Sequence, residues 1–241
     1  IGEVLYVQGN YVGVAKKARE AIEIYKEIYD YRQLVLTLVV IGDAMTKLSK
    51  NDSAFYFYQE ALTYVNNHDI MSDKGYVLER IGTFKKDLGQ YKEALKYINE
   101  GIEIAEIGGF FVDYWLLLLA KTETLFELNR IEEAKVTTDE ALKIAADSDD
   151  MGFKRDTYRI ANKVYQRLGL YEKAYDLLSL YHVSKDSLFD QEKASEIAQI
   201  ELNYAVENER KEAAVQQEKQ DLVYQEQIRR EQLIQYGVVG I

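Results

Sequence analysis

The chain has 241 residues, a formal net charge of −11, and neither cysteine nor proline. The missing cysteines exclude disulfide bonds, thiolate metal sites and thiol nucleophiles. The acidic balance argues against general binding to a nucleic-acid backbone. No run of about 18 apolar residues predicts a membrane span, and the absence of proline is typical of a chain built almost entirely from helices.

Small and aromatic residues recur along the chain with a period of 40 residues. The aligned positions form five columns: Gly2, Gly42, Gly82, Thr122 and Asn162; Gly9, Ser49, Gly89, Asn129 and Gly169; Tyr11, Asn51, Tyr91, Ile131 and Tyr171; Val14, Ala54, Ala94, Ala134 and Ala174; and Ala21, Ala61, Gly101, Ala141 and Tyr181. A fixed period indicates an array of like units. The first column allows close approach of two helices, and the second supplies a left-handed residue that ends a helix. The sequence therefore predicts five helix pairs over residues 1–182, the first one truncated, and no β-sheet.

The clearest copies are Leu88-Gly89-Gln90-Tyr91-Lys92-Glu93-Ala94-Leu95 and Leu168-Gly169-Leu170-Tyr171-Glu172-Lys173-Ala174-Tyr175. This pattern resembles the tetratricopeptide repeat (TPR). The resemblance implies an all-α solenoid, a right-handed superhelix of helix pairs, whose first helices line a concave groove for a protein or peptide. The sequence departs from the TPR pattern in two ways: its period is 40 residues rather than about 34, and it lacks the proline that the family has near the end of the repeat. The six extra residues are expected in longer helices or in the turns at 66–69, 108–109 and 147–150. We also expect further chain upstream of Ile1.

The composition changes after Val183, since residues 183–236 contain no glycine and nine glutamines. This stretch predicts one charged helix of about 50 residues, roughly 75 Å long. A sparse apolar seam through Ile197, Tyr204, Val215 and Leu222 favours a weak two-stranded coiled coil and hence a homodimer. The alternative is a solvated capping helix that frays beyond Glu207.

The tail beginning Lys185-Asp186-Ser187-Leu188-Phe189 resembles the segment after the last repeat in membrane-anchored bacterial sensors, which are histidine kinases or helix-turn-helix regulators. The resemblance implies an extracytoplasmic, periplasmic sensory and dimerisation region beside the inner membrane. Residues 233–241, after Arg229 and Arg230, would then begin a membrane span. Residues 233–241 could instead be an ordinary apolar C-terminus. The alternative function is a free-standing TPR scaffold or a cytoplasmic peptide-responsive transcription regulator.

Chemistry beyond binding is not predicted. The chain has no phosphate-binding or nucleophile motif, and neither His68 nor His182 has a second metal ligand at helical spacing. We therefore expect no catalytic residue, no metal and no cofactor. The aromatic run at 110–116 admits two interpretations for Trp115, which are a peptide pocket and ordinary core packing.

One ordered feature marks the groove of the fifth repeat, where a cation recurs every four residues. The candidate binding residues are Arg155, Arg159, Lys163 and Arg167, which form this basic stripe, together with Glu123, Phe126 and Tyr76 from earlier repeats. The stripe predicts a site for an acidic ligand, since arginine favours bidentate contacts with carboxylates and phosphates. The alternative is that the stripe pairs with Glu123 and Glu127 of the fourth repeat.

Overall fold

A computed structural model describes residues 2–238 of the chain. Within this range the backbone forms helices and turns, with no strand. The helices are α1 (Gly2–Val7), α2 (Tyr11–Glu27), α3 (Tyr31–Lys47), α4 (Asn51–Asn67), α5 (Met71–Asp87), α6 (Tyr91–Gly108), α7 (Phe111–Glu127), α8 (Ile131–Asp147), α9 (Met151–Arg167) and α10 (Tyr171–Val238). The chain divides into two compact units between Lys185 and Asp186.

Every helix from α3 to α10 begins 20 residues after its predecessor. Two helices and two short turns therefore make up the period of 40. The extra residues lie in the helices rather than in the turns, because Asn66 and Asn67 belong to α4 and Gly108 belongs to α6. The helix pairs predicted from the sequence are thus α1–α2, α3–α4, α5–α6, α7–α8 and α9 with the start of α10.

Left-handed residues end most of these helices. The second column has positive φ in all five repeats, at Gly9, Ser49, Gly89, Asn129 and Gly169, which confirms its predicted role. After Ser49, the backbone N–H of Lys50 donates to the carbonyl of Met45 over 2.9 Å, as in a Schellman cap. Between repeats, Tyr29, Asp69 and Gly109 have the same conformation. The turn after α8 differs, because Ser148 is extended and the Asp150 side chain caps α9 through the N–H of Gly152, over 2.6 Å.

Glycine in the first column allows the two helices of a pair to touch. A Cβ on Gly42 would lie 2.5 Å from the ring of Tyr58, and one on Gly82 would lie 2.5 Å from Cγ1 of Ile98. The alanine of the fourth column is buried in every repeat from the second to the fifth. The small residues are therefore required by close helix contact within the pairs.

In the last two repeats, polar residues replace the glycine and make a hydrogen bond to the second helix. The hydroxyls of Thr122 and Thr137 lie 2.8 Å apart, and the amide of Asn162 donates to the carbonyl of Ala174 over 2.7 Å. A single position thus keeps the helix pair close, either by lacking a side chain or by bonding across the contact.

Consecutive helices of the first unit pack on one another. From the second repeat onward, the first helix of a repeat also contacts the first helix of the next repeat: α3 with α5, α5 with α7, and α7 with α9. This second set of contacts forms a surface made only of first helices. We call the surface formed by α3, α5, α7 and α9 the groove, following the resemblance to TPR arrays.

The second unit is the later part of α10. The side chains of Tyr204, Val215 and Leu222 are exposed there, whereas the side chain of Ile197 lies outside the described residues. Among the described residues, no helix combines the length and the apolar character that crossing a membrane requires. Of the stretch 233–241, the structure describes the helical backbone to Val238, and the remainder lies outside the described range.

Candidate ligand-binding site

Ion pairs connect the first helices across the groove. Arg80 of α5 lies 2.7 Å from Asp43 of α3, and Arg159 of α9 lies 3.2 Å from Glu123 of α7. Lys86 of α5 donates to the same Glu123. The partners are 36 or 37 positions apart, which is one repeat less one helical turn. Each pair therefore joins neighbouring repeats rather than residues within one repeat.

Glu123 stands between two cations from two different helices. Burial alone would raise the pKa of the Glu123 carboxyl, but the hydrogen bond from Lys86 and the charges of Lys86 and Arg159 outweigh it. The pKa of Glu123 is therefore lowered, and the carboxylate is held in its charged form. A ligand carboxylate would have to compete with Glu123 for both cations.

Beside Glu123 lies a cavity of about 420 Å³ between α5, α7 and α9. The residues that line it are Lys86, Asp87, Tyr91, Glu123, Phe126, Glu127, Ile160, Lys163 and Val164. Ile160 and Val164 are buried, so that part of the lining is apolar, while Lys163 and Glu127 are exposed. We call this space the groove cavity.

Two charged residues that line the groove cavity, Lys163 and Glu127, are available to a ligand, and we call them the uncommitted charges. Neither side chain forms an ion pair or hydrogen bond with another residue that the structure describes. The remaining acidic lining residue, Asp87, lies 3.7 Å from Lys86. The cavity thus presents one available cation and one available anion to whatever fills it.

The basic stripe does not converge on one site. The Arg155 guanidinium contacts Asp156 over 2.9 Å, and Arg159 pairs with Glu123. Arg167 lies over the ring of Phe126, 5.5 Å from its centre. The pairing alternative is therefore realised at Glu123, whereas Glu127 receives no cation from the described part of the chain. Of the predicted residues, Glu123, Phe126 and Lys163 line the groove cavity together.

Tyr76 lies elsewhere on the groove. It lines a separate cavity of about 410 Å³ that also contacts Arg32, Asp73 and Asp113. Burial raises the pKa of the Tyr76 hydroxyl to about 12. The structure therefore does not bring Tyr76 to the same cavity as the fifth-repeat residues.

Trp115 belongs to the core. It is 3% exposed, its indole N–H donates to the hydroxyl of Thr157 over 2.8 Å, and its ring stacks on Phe153 with centres 4.0 Å apart. The core-packing interpretation is confirmed, and the peptide-pocket interpretation of Trp115 is wrong. The tryptophan joins the fourth repeat to the fifth through a buried hydrogen bond.

Asp43, Arg80 and Lys86 also belong to this series of ion pairs, and they were not predicted from the sequence. Opposite charges at a separation of 37 are visible in the sequence, since Asp43–Arg80 and Lys86–Glu123 share it. The signal becomes meaningful only once the contact between successive first helices is known.

No protein family model matches the chain, and no curated protein matches it significantly. Several solved structures do. BtubC (BKLC) from P. vanneervenii aligns with a TM-score of 0.66 and 16% identity over 78% of each chain. A putative kinesin light chain with nearly identical TPR-like repeats from P. anserina aligns with a TM-score of 0.59 and 9% identity, over 78% of this chain and 92% of its own.

A Rap protein complexed with Competence and Sporulation Factor aligns with a TM-score of 0.58 and 20% identity, over 79% of this chain and 63% of its own. At identities this low, the likeness concerns the fold. The repeat period, the helix pairs and these three structures agree, and the protein has the TPR-like α-solenoid fold.

Proposed function

We propose that the groove binds a segment of a protein or peptide. The observation that carries this proposal is the groove cavity, which combines a buried apolar floor with two uncommitted charges. Its volume of about 420 Å³ falls within the range typical of ligand pockets. The Rap structure supports the proposal, because a protein of the same fold is complexed there with Competence and Sporulation Factor.

A substitution that fills the groove cavity tests this proposal directly. Lys163→Trp should place a large side chain at the mouth of the cavity without removing an ion pair or a hydrogen bond of Lys163. Lys96→Trp provides the matched control, since Lys96 is exposed on the second helix α6. We expect quantitative mass spectrometry to find host proteins that copurify with the wild type and the control but not with Lys163→Trp. Equal recovery by all three proteins would contradict binding in the groove.

We further propose that the chain is the sensory and dimerisation region of a bacterial two-component sensor histidine kinase, located outside the cytoplasm beside the inner membrane. The support is the resemblance of the tail to such sensors. The exposed apolar residues Tyr204, Val215 and Leu222 of α10 are available for a homodimer seam. A free-standing TPR scaffold or a peptide-responsive transcription regulator in the cytoplasm is the alternative, and it would use the same groove.

The cellular side of this region separates the two proposals. Alkaline phosphatase is active outside the cytoplasm, so it can be inserted into the turn at 148–150 of the full-length protein, with a fluorescent protein inserted at the same turn as the control. The sensor proposal expects an active phosphatase and a dark fluorescent protein. The opposite pattern would contradict the extracytoplasmic location and favour the cytoplasmic alternative.

A further inference from the structure

We infer the chemistry of the segment that the groove cavity accepts, an inference that rests on the proposed function. We propose that the segment carries an apolar side chain flanked by one acidic and one basic group. The apolar side chain lies against the floor of the cavity, the acidic group faces Lys163, and the basic group faces Glu127. We assign these groups by comparing the lining residues that already pair with other residues of the protein with those that do not.

The floor defines the central position of the segment. Ile160 and Val164 are buried and lie one turn apart on α9, and the Phe126 ring of α7 lines the same cavity. Transfer of an apolar side chain onto such a surface is favourable by roughly 25 cal/mol for each Å² removed from water. A polar side chain in this position would leave its hydrogen-bonding groups facing an apolar wall.

The flanking charges follow from Lys163 and Glu127. They lie on different first helices, they have opposite signs, and both are exposed without a partner among the described residues. A ligand with one acidic and one basic group can pair with both. Such a ligand leaves neither charge of the cavity facing a group of the same sign.

Glu123 excludes a strongly acidic segment from the same cavity. Lys86 and Arg159 are both engaged with the Glu123 carboxylate, so a second acidic group of the ligand would find no available cation. That second acidic group would instead lie close to Glu123 or Glu127, and like charges that lie close together repel each other. The proposed ligand is therefore a segment of balanced charge rather than the acidic ligand that the basic stripe predicts.

Short blocked peptides test this assignment by NMR titration of the full chain. The probe is N-acetyl-Asp-Leu-Lys-amide, with three comparison peptides: Asn-Leu-Lys, Asp-Leu-Gln and Asp-Ser-Lys, blocked in the same way. We expect saturable shifts of the backbone amides of Glu127 and Lys163 with the probe. Replacement of either charged residue should weaken binding about two- to fivefold, as expected for one exposed ion pair, and replacement of leucine should weaken it more.

Protein variants assign each charge to its partner. Lys163→Gln should lower the affinity for Asp-Leu-Lys to that for Asn-Leu-Lys and leave the latter unchanged. Glu127→Gln should lower the affinity for Asp-Leu-Lys to that for Asp-Leu-Gln and leave the affinity for Asp-Leu-Gln unchanged. Lys96→Gln, an exposed lysine on α6, is the control and should change nothing.

The inference would be overturned by equal affinity for all four peptides, by no binding of any, or by tighter binding of a peptide with two acidic residues. These failures differ from failure of the proposed function. If the peptides do not discriminate but Lys163→Trp still abolishes copurification of a host protein, only the ligand chemistry is wrong. If Lys163→Trp has no effect either, the groove itself is not the binding site.

Discussion

The ring of Tyr58 lies directly against Gly42, on the facing helix of the same pair. A Cβ on Gly42 would come within 2.5 Å of the ring. Tyr58 cannot move aside easily, because it is 2% exposed and its hydroxyl donates a 2.6 Å hydrogen bond to Asp43. Asp43 also accepts from Arg80 of the next repeat. The closest contact within a helix pair is therefore coupled to an ion pair between repeats.

Gly42→Val should destabilise the protein by about 1–3 kcal/mol, because overpacking a close contact has that cost. The gain in helix propensity over glycine offsets less than about 1 kcal/mol of it. Lys47→Val, at an exposed position of the same helix α3, should change stability by no more than about 0.5 kcal/mol. Urea denaturation of both variants measures the difference, and equal midpoints would refute the close contact.

The buried hydrogen bond between Trp115 and Thr157 allows a second test. Thr157→Val keeps the shape of the side chain but leaves the indole N–H buried without an acceptor. An unsatisfied buried donor costs about 1–3 kcal/mol. Thr63→Val is the control, because Thr63 is exposed and its hydroxyl bonds only within α4. Thermal unfolding should separate the variants, and matching melting temperatures would contradict the buried bond.

Glu79 should make the protein less stable as pH rises. Burial raises the pKa of its carboxyl, and the nearby Arg80 and the hydrogen bond from Thr83 only partly counter this effect. The folded protein therefore holds a proton that the unfolded chain releases, so stability falls as pH rises from the unfolded pKa of about 4.3 through the folded value. Glu79→Gln removes this dependence. Denaturation should show the stability of the variant rising relative to that of the wild type as pH rises above about 4.3. A difference that does not change with pH would contradict the raised pKa of Glu79.

Glu123 should have the opposite effect. Burial opposes its charged form, but Lys86 and Arg159 overcome that opposition and lower the pKa of the carboxyl. Its contribution is present above the unfolded pKa and is lost as pH falls through the folded pKa. Glu123→Gln should therefore be less stable than the wild type near neutral pH, with a difference that shrinks in acid. A difference that grows in acid would mean that the two cations do not hold the carboxylate.

The sequence predicts the helix pairs well because their signals are local. Each glycine, asparagine or serine of the second column ends a helix because its own backbone adopts a left-handed conformation. In the first column, Gly42 and Gly82 each mark one close contact between the two helices of a pair. The inter-repeat ends are harder to predict, because Tyr29 adopts a left-handed conformation that tyrosine rarely takes. The period alone also does not decide whether its extra residues lengthen helices or turns.

The site is only partly predictable for a different reason. The pairing of Arg159 with Glu123 follows from their positions on neighbouring first helices. The pairing of Lys86 with the same carboxylate requires a third helix, and the stacking of Arg167 on Phe126 requires side-chain geometry. These contacts determine which charged side chains remain available for a ligand. The sequence alone therefore does not show that Lys163 is without an ionic partner, whereas the folded structure does.

Crosslinking in living cells tests directly whether the groove holds a protein or peptide. A photo-crosslinking amino acid at Asp87, which lines the groove cavity, is compared with one at Lys96 on the second helix α6. We expect a discrete crosslinked protein or peptide from position 87, little from position 96, and loss of the adduct when Lys163→Trp is added. Equal adducts from both positions, or an adduct at 87 that Lys163→Trp does not diminish, would contradict a ligand held in the groove.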